Sequence, residues 1–261
     1  MASQALPVRG ARLGKRVTPG LNPAARRDTD DEAVRAAVLL LPGGSALSTR
    51  RRSPVAAAAM VPLARRLVRA AGRGEGLAVH VVHYRFRGWN GGHAHPAEDA
   101  RWAVDEVVRR YGDVPVSLVG MDMGGRAALH AAGHPAVNSA VAIAPWLPDA
   151  PEPDPVKQLI GRHILIVHGT NDDSTHPDLS YRLAERLKKV NRDVCRFEVH
   201  TDGHLLHDHR AEVASLTADF VLGTLLGRSF ARPVADALAA PPPLGLRMPL
   251  ASGFGRSPQL R

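Results

Sequence analysis

The stretch LVGMDMGGRAALHAAG, from Leu118 to Gly133, decides the fold prediction for this chain. It begins with an apolar run typical of a strand end and continues with small and apolar residues typical of a helix. Between the two, the spacing Gly120-x-Asp122-x-Gly124 suits a tight strand-to-helix turn. Small residues are needed there because the chain reverses within a few positions. The sequence therefore predicts that Asp122 is presented at the tip of a sheet.

Short apolar runs alternate with helical patterns on both sides of this turn, across residues 34–227. This alternation predicts an α/β domain: a doubly wound, mostly parallel sheet with helices on both faces. The predicted strands are 37–41, 77–85, 116–119, 139–144, 163–169 and 194–200, and the predicted helices are 54–71, 96–112, 123–132, 179–190 and 208–223.

The two ends of the chain differ in composition from this domain. Residues 1–33 and 228–261 are rich in Arg, Pro and Gly without sustained periodicity, and we expect both to be loosely ordered tails. They also carry most of the formal charge of +9, whereas residues 36–227 hold 22 basic and 20 acidic residues. The basicity is therefore not predicted to line a groove, and nucleic acid is not an expected partner.

Cysteine count and hydropathy limit the compartment and the partners. Cys195 is the single cysteine, so an intrachain disulfide is impossible, and packing is its simplest role. No apolar run reaches the ~18 residues of a membrane helix, and the N-terminus lacks a secretory signal. We therefore expect a soluble, cytoplasmic protein without a membrane partner, whose oligomeric state the sequence leaves open.

Residues with catalytic potential follow four of the predicted strands. They are Asp122 in its turn, Asp172 in HGTNDDSTHP, His204 in HTDGHLLH, and the backbone N–H groups of the Pro42-Gly43-Gly44-Ser45 turn. Because ligand chemistry in parallel sheets gathers at the carboxyl ends of strands, we expect these groups to converge. Asp173 competes with Asp172 for the same role.

The order of these motifs resembles the α/β-hydrolase fold family over about residues 36–226. The resemblance implies Asp122 at the nucleophile position, His204 as base and Asp172 as the acid that orients it. It also implies an oxyanion hole formed by the N–H of Met123 and one near Gly44 or Ser45. No metal and no organic cofactor is implied.

The aspartate departs from the serine usual at this position. A carboxylate would give a mixed anhydride with an ester, but it can attack an sp3 carbon and form an alkyl-enzyme ester that His204-activated water opens. Haloalkane dehalogenases and epoxide hydrolases of this fold use such an aspartate. They also carry a helical lid, whereas Pro145–Arg162 is short and contains Trp146 as its aromatic residue. In this respect the chain is more similar to the small dienelactone hydrolases.

Other interpretations of the same residues stay open. In one of them, an ancestral serine at position 122 has been lost, and Asp122 only caps the helix that follows it. The protein would then be an inactive binding or scaffold protein. Trp146 is either a substrate-pocket wall or a packed aromatic. The segment HAHPAED is explained by a loop and a helix N-terminus better than by a metal site. We predict a protein without a large cap domain that hydrolyses a small organic substrate.

Overall fold

In the part of the chain that the structure describes, the central sheet contains eight strands in the order β1-β3-β2-β4-β5-β6-β7-β8, numbered along the chain. The structure, a computed structural model, describes residues 9–18, 33–149 and 154–255. The strands β2 to β8 are parallel to one another, and β1 is antiparallel to its neighbour β3. Their bounds are Arg12–Leu13, Ala36–Leu41, Leu77–His83, Val116–Met121, Val137–Ile143, His163–Gly169, Val194–Val199 and Met248–Pro249.

Helices cover both faces of the sheet, and the sheet lies between two hydrophobic clusters. Seven are described, α1 to α7, at Pro54–Ala59, Val61–Ala71, His95–Tyr111, Met123–Ala131, Pro177–Lys188, Arg210–Leu226 and Arg232–Ala239. Along β2, Leu39 and Leu41 pack in the cluster with α3, α4 and α5, while Val38 and Leu40 pack in the cluster with α2, α6 and α7. A strand covered on both faces needs a continuous apolar run, and AVLLL supplies one. The predicted doubly wound α/β fold is confirmed.

The helix predicted over residues 54–71 is in fact two helices that meet at Met60. Pro62 causes the break, because it has no N–H to donate and its ring would collide with the carbonyl group four positions earlier. The first of the two, α1, has no buried residue and lies at the carboxyl edge of the sheet beside Asp122.

The prediction of a loosely ordered C-terminal tail is wrong for the described residues 228–255. They form α7 and β8, and β8 extends the sheet beside β7. Val234, Ala237 and Leu246 are fully buried, so the apolar residues between the arginines and prolines supply a packed face. At the other end, Arg12 and Leu13 pair with β3. Residues 1–8, 19–32 and 256–261, which the predicted tails include, lie outside the described residues.

Two further observations concern the described residues only. Within them, no helix is both long and apolar enough to cross a membrane. Nor does this part of the chain contain a group of three or more His, Cys, Asp or Glu side chains placed to hold a metal ion. In the HAHPAED segment, Asp99 accepts from the backbone and side chain of Arg85 instead.

Candidate active site

The turn between β4 and α4 holds Asp122 in an unfavourable backbone conformation. Its φ of 53° and ψ of −122° lie in a region that non-glycine residues rarely adopt. The glycines on either side permit the turn: a Cβ on Gly124 would lie 1.9 Å from the carbonyl oxygen of Leu41, and one on Gly120 would lie 2.0 Å from the carbonyl oxygen of Gly124. Strain of this kind costs about 1–3 kcal/mol and occurs mainly at functional sites.

The carboxylate of Asp122 faces backbone N–H groups. Its Oδ2 accepts a hydrogen bond of 3.2 Å from the N–H of Gly44. Burial raises the pKa of Asp122, while the N–H groups of Met123 and Gly44 and the nearby His204 lower it, and the net direction is upward. The side chain makes no N-cap hydrogen bond, and its contact with α4 is with the N–H of Met123, the first residue of that helix.

His204 links the two carboxylates. It follows β7, and its Nδ1 lies 2.9 Å from Oδ2 of Asp172. Its Nε2 points to the other side and lies 3.8 Å from Oδ1 of Asp122, beyond hydrogen-bonding distance. Residues 122, 172 and 204, remote along the chain, therefore meet at the carboxyl edge of the sheet.

Asp172, and not Asp173, is the acid that contacts the histidine. Asp173 is exposed, whereas the side chain of Asp172 is fully buried after β6. Burial raises the pKa of Asp172, but hydrogen bonds from His168, Thr175 and His204 more than offset it and hold this pKa well below its usual value. Asp172 is therefore ionised whenever the protein is folded near neutral pH.

Of the N–H groups predicted to form an oxyanion hole, two face Asp122 and one does not. Gly44 and Met123 both act on its carboxylate. The N–H of Ser45 instead donates to the carbonyl oxygen of Arg87 at 3.2 Å, so the prediction for Ser45 is wrong. Ser45 forms a bridge with Gly88, and this pairing turns its N–H away from the carboxylate.

A cavity of about 200 Å³ lies against Asp122 and His204. Its wall includes Ala56 and Ala59 of α1 and the half-exposed Leu205. The prediction that Trp146 lines the substrate pocket is wrong for this cavity, whose lining does not include it. The ring of Trp146 packs on the guanidinium of Arg126 instead.

Trp146 and Trp89 enclose the guanidinium of Arg126. The guanidinium carbon lies 4.9 Å and 4.1 Å from the centres of the two rings, and the same group binds Asp154 through two bonds of 2.8 and 2.7 Å. Trp146 is therefore the packed aromatic of the two interpretations. Its backbone N–H also donates to the carbonyl oxygen of Asp122, which ties this cluster to the turn.

Sequence reasoning missed two side chains near the site. His168 is fully buried against Asp172, and the HG sequence that opens the HGTNDDSTHP loop was the available signal. The hydroxyl of Tyr84 is buried with no hydrogen-bond partner in the described residues. Burial raises the pKa of Tyr84, and the charges of Asp99 and Asp122 raise it further.

Comparisons with known proteins agree with this architecture. A protein-family model described as the dienelactone hydrolase family matches residues 94–213. An esterase from Pyrococcus furiosus is 16% identical, with a TM-score of 0.59 over 75% of this chain and 83% of its own. An α/β serine hydrolase without a lid from Xanthomonas campestris is 18% identical, with a TM-score of 0.57 over 84% and 90%. None of the curated proteins compared matches the chain.

The chain has the α/β-hydrolase fold without a large cap domain. Within that fold, the segment that carries Asp122, Asp172 and His204 matches the dienelactone hydrolase family, which supports a hydrolase enzyme acting on a small molecule.

Proposed function

We propose that the protein hydrolyses a small organic substrate through attack by Asp122 on an sp3 carbon, as in the hydrolysis of an alkyl halide or an epoxide. The observation that carries this proposal is the division of labour between the two carboxylate oxygens of Asp122. Oδ2 accepts the hydrogen bond from the N–H of Gly44, whereas Oδ1 lies 3.8 Å from Nε2 of His204, beyond hydrogen-bonding distance. Oδ1 is thus the oxygen free to act as a nucleophile.

The same arrangement argues against an ester substrate. In ester hydrolysis the carbonyl oxygen of the substrate needs the oxyanion-hole donors. Here the Oδ2 of Asp122 occupies them, so a substrate carbonyl would have to displace a charge-assisted hydrogen bond. Attack by Oδ1 on an sp3 carbon forms no tetrahedral oxyanion. A halide departs with the electron pair of the broken bond, and an epoxide oxygen becomes an alkoxide that takes a proton from water.

Hydrolysis of the resulting alkyl-enzyme ester would use the rest of the site. His204 Nε2 takes a proton from water, and the hydroxide adds to the Cγ of Asp122. The oxyanion then forms on Oδ2, which already accepts the hydrogen bond from the N–H of Gly44. Breaking the bond between Cγ and Oδ1 releases the product as an alkoxide, which takes the proton back from His204. The carboxylic acid left at Asp122 loses its proton to solvent, which regenerates the carboxylate with one oxygen from water.

In this proposal the turn is a nucleophile elbow, and Asp122, His204 and Asp172 are a catalytic triad. Asp172 holds the Nδ1 proton of His204, so that the lone pair of Nε2 faces the ester. The cavity volume of about 200 Å³ and the alanines of α1 favour a small, largely apolar substrate. Each step needs only the substrate, water and these side chains, so we expect no cofactor.

A single-turnover experiment in H₂¹⁸O tests the proposal, once a panel of haloalkanes, epoxides, lactones and p-nitrophenyl esters has identified a substrate. With enzyme in excess, the heavy oxygen should enter the peptide that contains Asp122, and the product alcohol should stay unlabelled. Direct attack by water would place the label in the product and contradict the mechanism. Asp122→Asn should reduce turnover by at least about 10³-fold, because the nucleophile is lost.

A protein that has lost its serine is the alternative, and the bond between Asp122 and Gly44 also favours it, since it fills the oxyanion hole. The variant Asp122→Ser separates the two functions. If the wild type is inert on the whole panel and the variant gains esterase activity, the chain is a disabled esterase that retains its binding pocket.

A further inference from the structure

His168 is a second histidine bound to Asp172, on the side away from the cavity. Its side chain has no exposed area. Its Nε2 lies 3.1 Å from Oδ2 of Asp172 and 2.8 Å from the backbone oxygen of Thr175. Carboxylate and carbonyl oxygens only accept hydrogen bonds, so Nε2 carries a proton.

The opposite ring nitrogen of His168 also meets an acceptor. Nδ1 lies 2.9 Å from the hydroxyl oxygen of Ser180. That hydroxyl donates its proton to the carbonyl oxygen of Pro177 and accepts a bond from Nε of Arg196. One lone pair of the hydroxyl oxygen remains, and a proton on Nδ1 satisfies it. A proton on each ring nitrogen of His168 therefore fits its three oxygen neighbours.

The charged groups around the ring of His168 are Arg196 and Asp172. Arg196 pairs with Glu198 at 2.7 Å, and the acidic group that faces His168 is Asp172. On the cavity side, the ring of His204 faces Asp172 and Asp122 at 2.9 and 3.8 Å. An imidazole that carries a proton on both ring nitrogens has no lone pair with which to activate water.

We propose that His168 is a positioning residue whose imidazolium holds Asp172 and offsets its charge, so that His204 stays neutral with its proton on Nδ1. A serine at position 122 would add no charge beside His204, whereas an aspartate does, and the buried His168 compensates for it. This inference rests on the proposed role of His204 as base. His168 touches neither the cavity nor the reacting atoms.

The protonation state of His204 can be measured without a substrate. Long-range proton–nitrogen NMR spectra of protein labelled with ¹⁵N-histidine distinguish the Nδ1–H form, the Nε2–H form and the imidazolium. Near neutral pH, His204 of the wild type should be in the neutral Nδ1–H form, assigned from the signals lost in His204→Gln. In His168→Leu, which loses donor and charge, and in His168→Gln, which keeps a donor, His204 should be an imidazolium.

A neutral His204 ring in either folded variant would overturn the proposal. The Gln variant carries the test if the Leu variant does not fold, as judged by circular dichroism. His176→Gln is the matched control, because the side chain of His176 is 70% exposed on the same loop, and it should leave His204 unchanged. When kcat is plotted against pH, the acidic limb of both His168 variants should lie about one unit higher in pH than that of the wild type. The isotope experiment and the NMR experiment can fail independently, so the two proposals are separable.

Discussion

The backbone N–H of Gly44 donates to the Oδ2 of Asp122 at 3.2 Å, across 78 positions of the chain. This bond joins the turn after β2 to the turn after β4, two adjacent parallel strands. It fixes which oxygen of the carboxylate is held and which is free, and the proposed chemistry depends on that difference.

Replacing His204 should stop the proposed reaction halfway. In His204→Ala, Oδ1 of Asp122 can still attack, but no base activates water for the second step. We expect a burst that releases at most one leaving group per enzyme molecule, and a stable mass increase on the peptide that contains Asp122. Mass spectrometry of the digested protein measures the adduct, and the double variant with Asp122→Asn is its control. Continued turnover by His204→Ala would contradict the role of this base.

Two glycine variants should separate damage to the site from damage to the fold. A Cβ on Gly43 would lie 2.9 Å from Oδ2 of Asp122, the end of a side chain that can rotate. Gly43→Ala should therefore displace the carboxylate and reduce kcat at least about 10-fold, with a stability loss below about 2 kcal/mol.

A Cβ on Gly124 would lie 1.9 Å from a backbone oxygen, which cannot move without shifting β2. Gly124→Ala should therefore destabilise the whole domain by more than about 3 kcal/mol. Urea titration monitored by circular dichroism measures both variants, and equal midpoints for the two would show that the turn tolerates a side chain.

The ion pair of Asp154 and Arg126 should stabilise the protein in a defined pH range. Burial raises the pKa of Asp154, but the contact with His130 at 3.1 Å and the hydrogen bonds from Arg126 lower it to about 2 from its ordinary 3.8. A depressed pKa contributes stability above the unfolded value, and this contribution is lost as the pH falls through the folded value. Asp154→Asn should thus cost about 2 kcal/mol above pH ~4.

The difference between Asp154→Asn and the wild type should shrink as the pH falls from 3.8 toward about 2. The free energy of unfolding from urea titrations at several pH values tests this. The control is Asp236→Asn, since Asp236 forms an exposed pair with Arg232 and should change stability by less than about 1 kcal/mol. A loss that does not depend on pH would show that the carboxylate charge is not what stabilises the cluster.

Tyr84→Phe should be neutral or stabilising. The hydroxyl of Tyr84 is buried and has no hydrogen-bond partner in the described residues, so its removal breaks no bond and relieves a desolvation cost. We expect an unfolding midpoint equal to or higher than that of the wild type in thermal denaturation. A loss above about 1 kcal/mol would indicate that the hydroxyl is bonded in solution.

Several parts of the fold were predictable because they depend on local pattern. The strand at His163–Gly169 has the predicted bounds, and the helix predicted at 96–112 spans His95–Tyr111, one residue earlier at each end. The helix break at Met60 was missed, although Pro62 was its signal. The packing of residues 228–255 was not predictable. Their apolar residues show no periodic pattern, and they are buried because they cover one edge of the sheet.

The sequence alone determined the doubly wound fold, the turn at Asp122 and the order of Asp122, Asp172 and His204, because periodicity and chain order are local or sequential properties. Tertiary structure decided which neighbouring groups serve the site: Gly44 over Ser45, Asp172 over Asp173, and a packed Trp146. Those choices depend on distances of 3 to 4 Å between segments far apart in the chain, which strand pairing and close packing fix and no local pattern encodes.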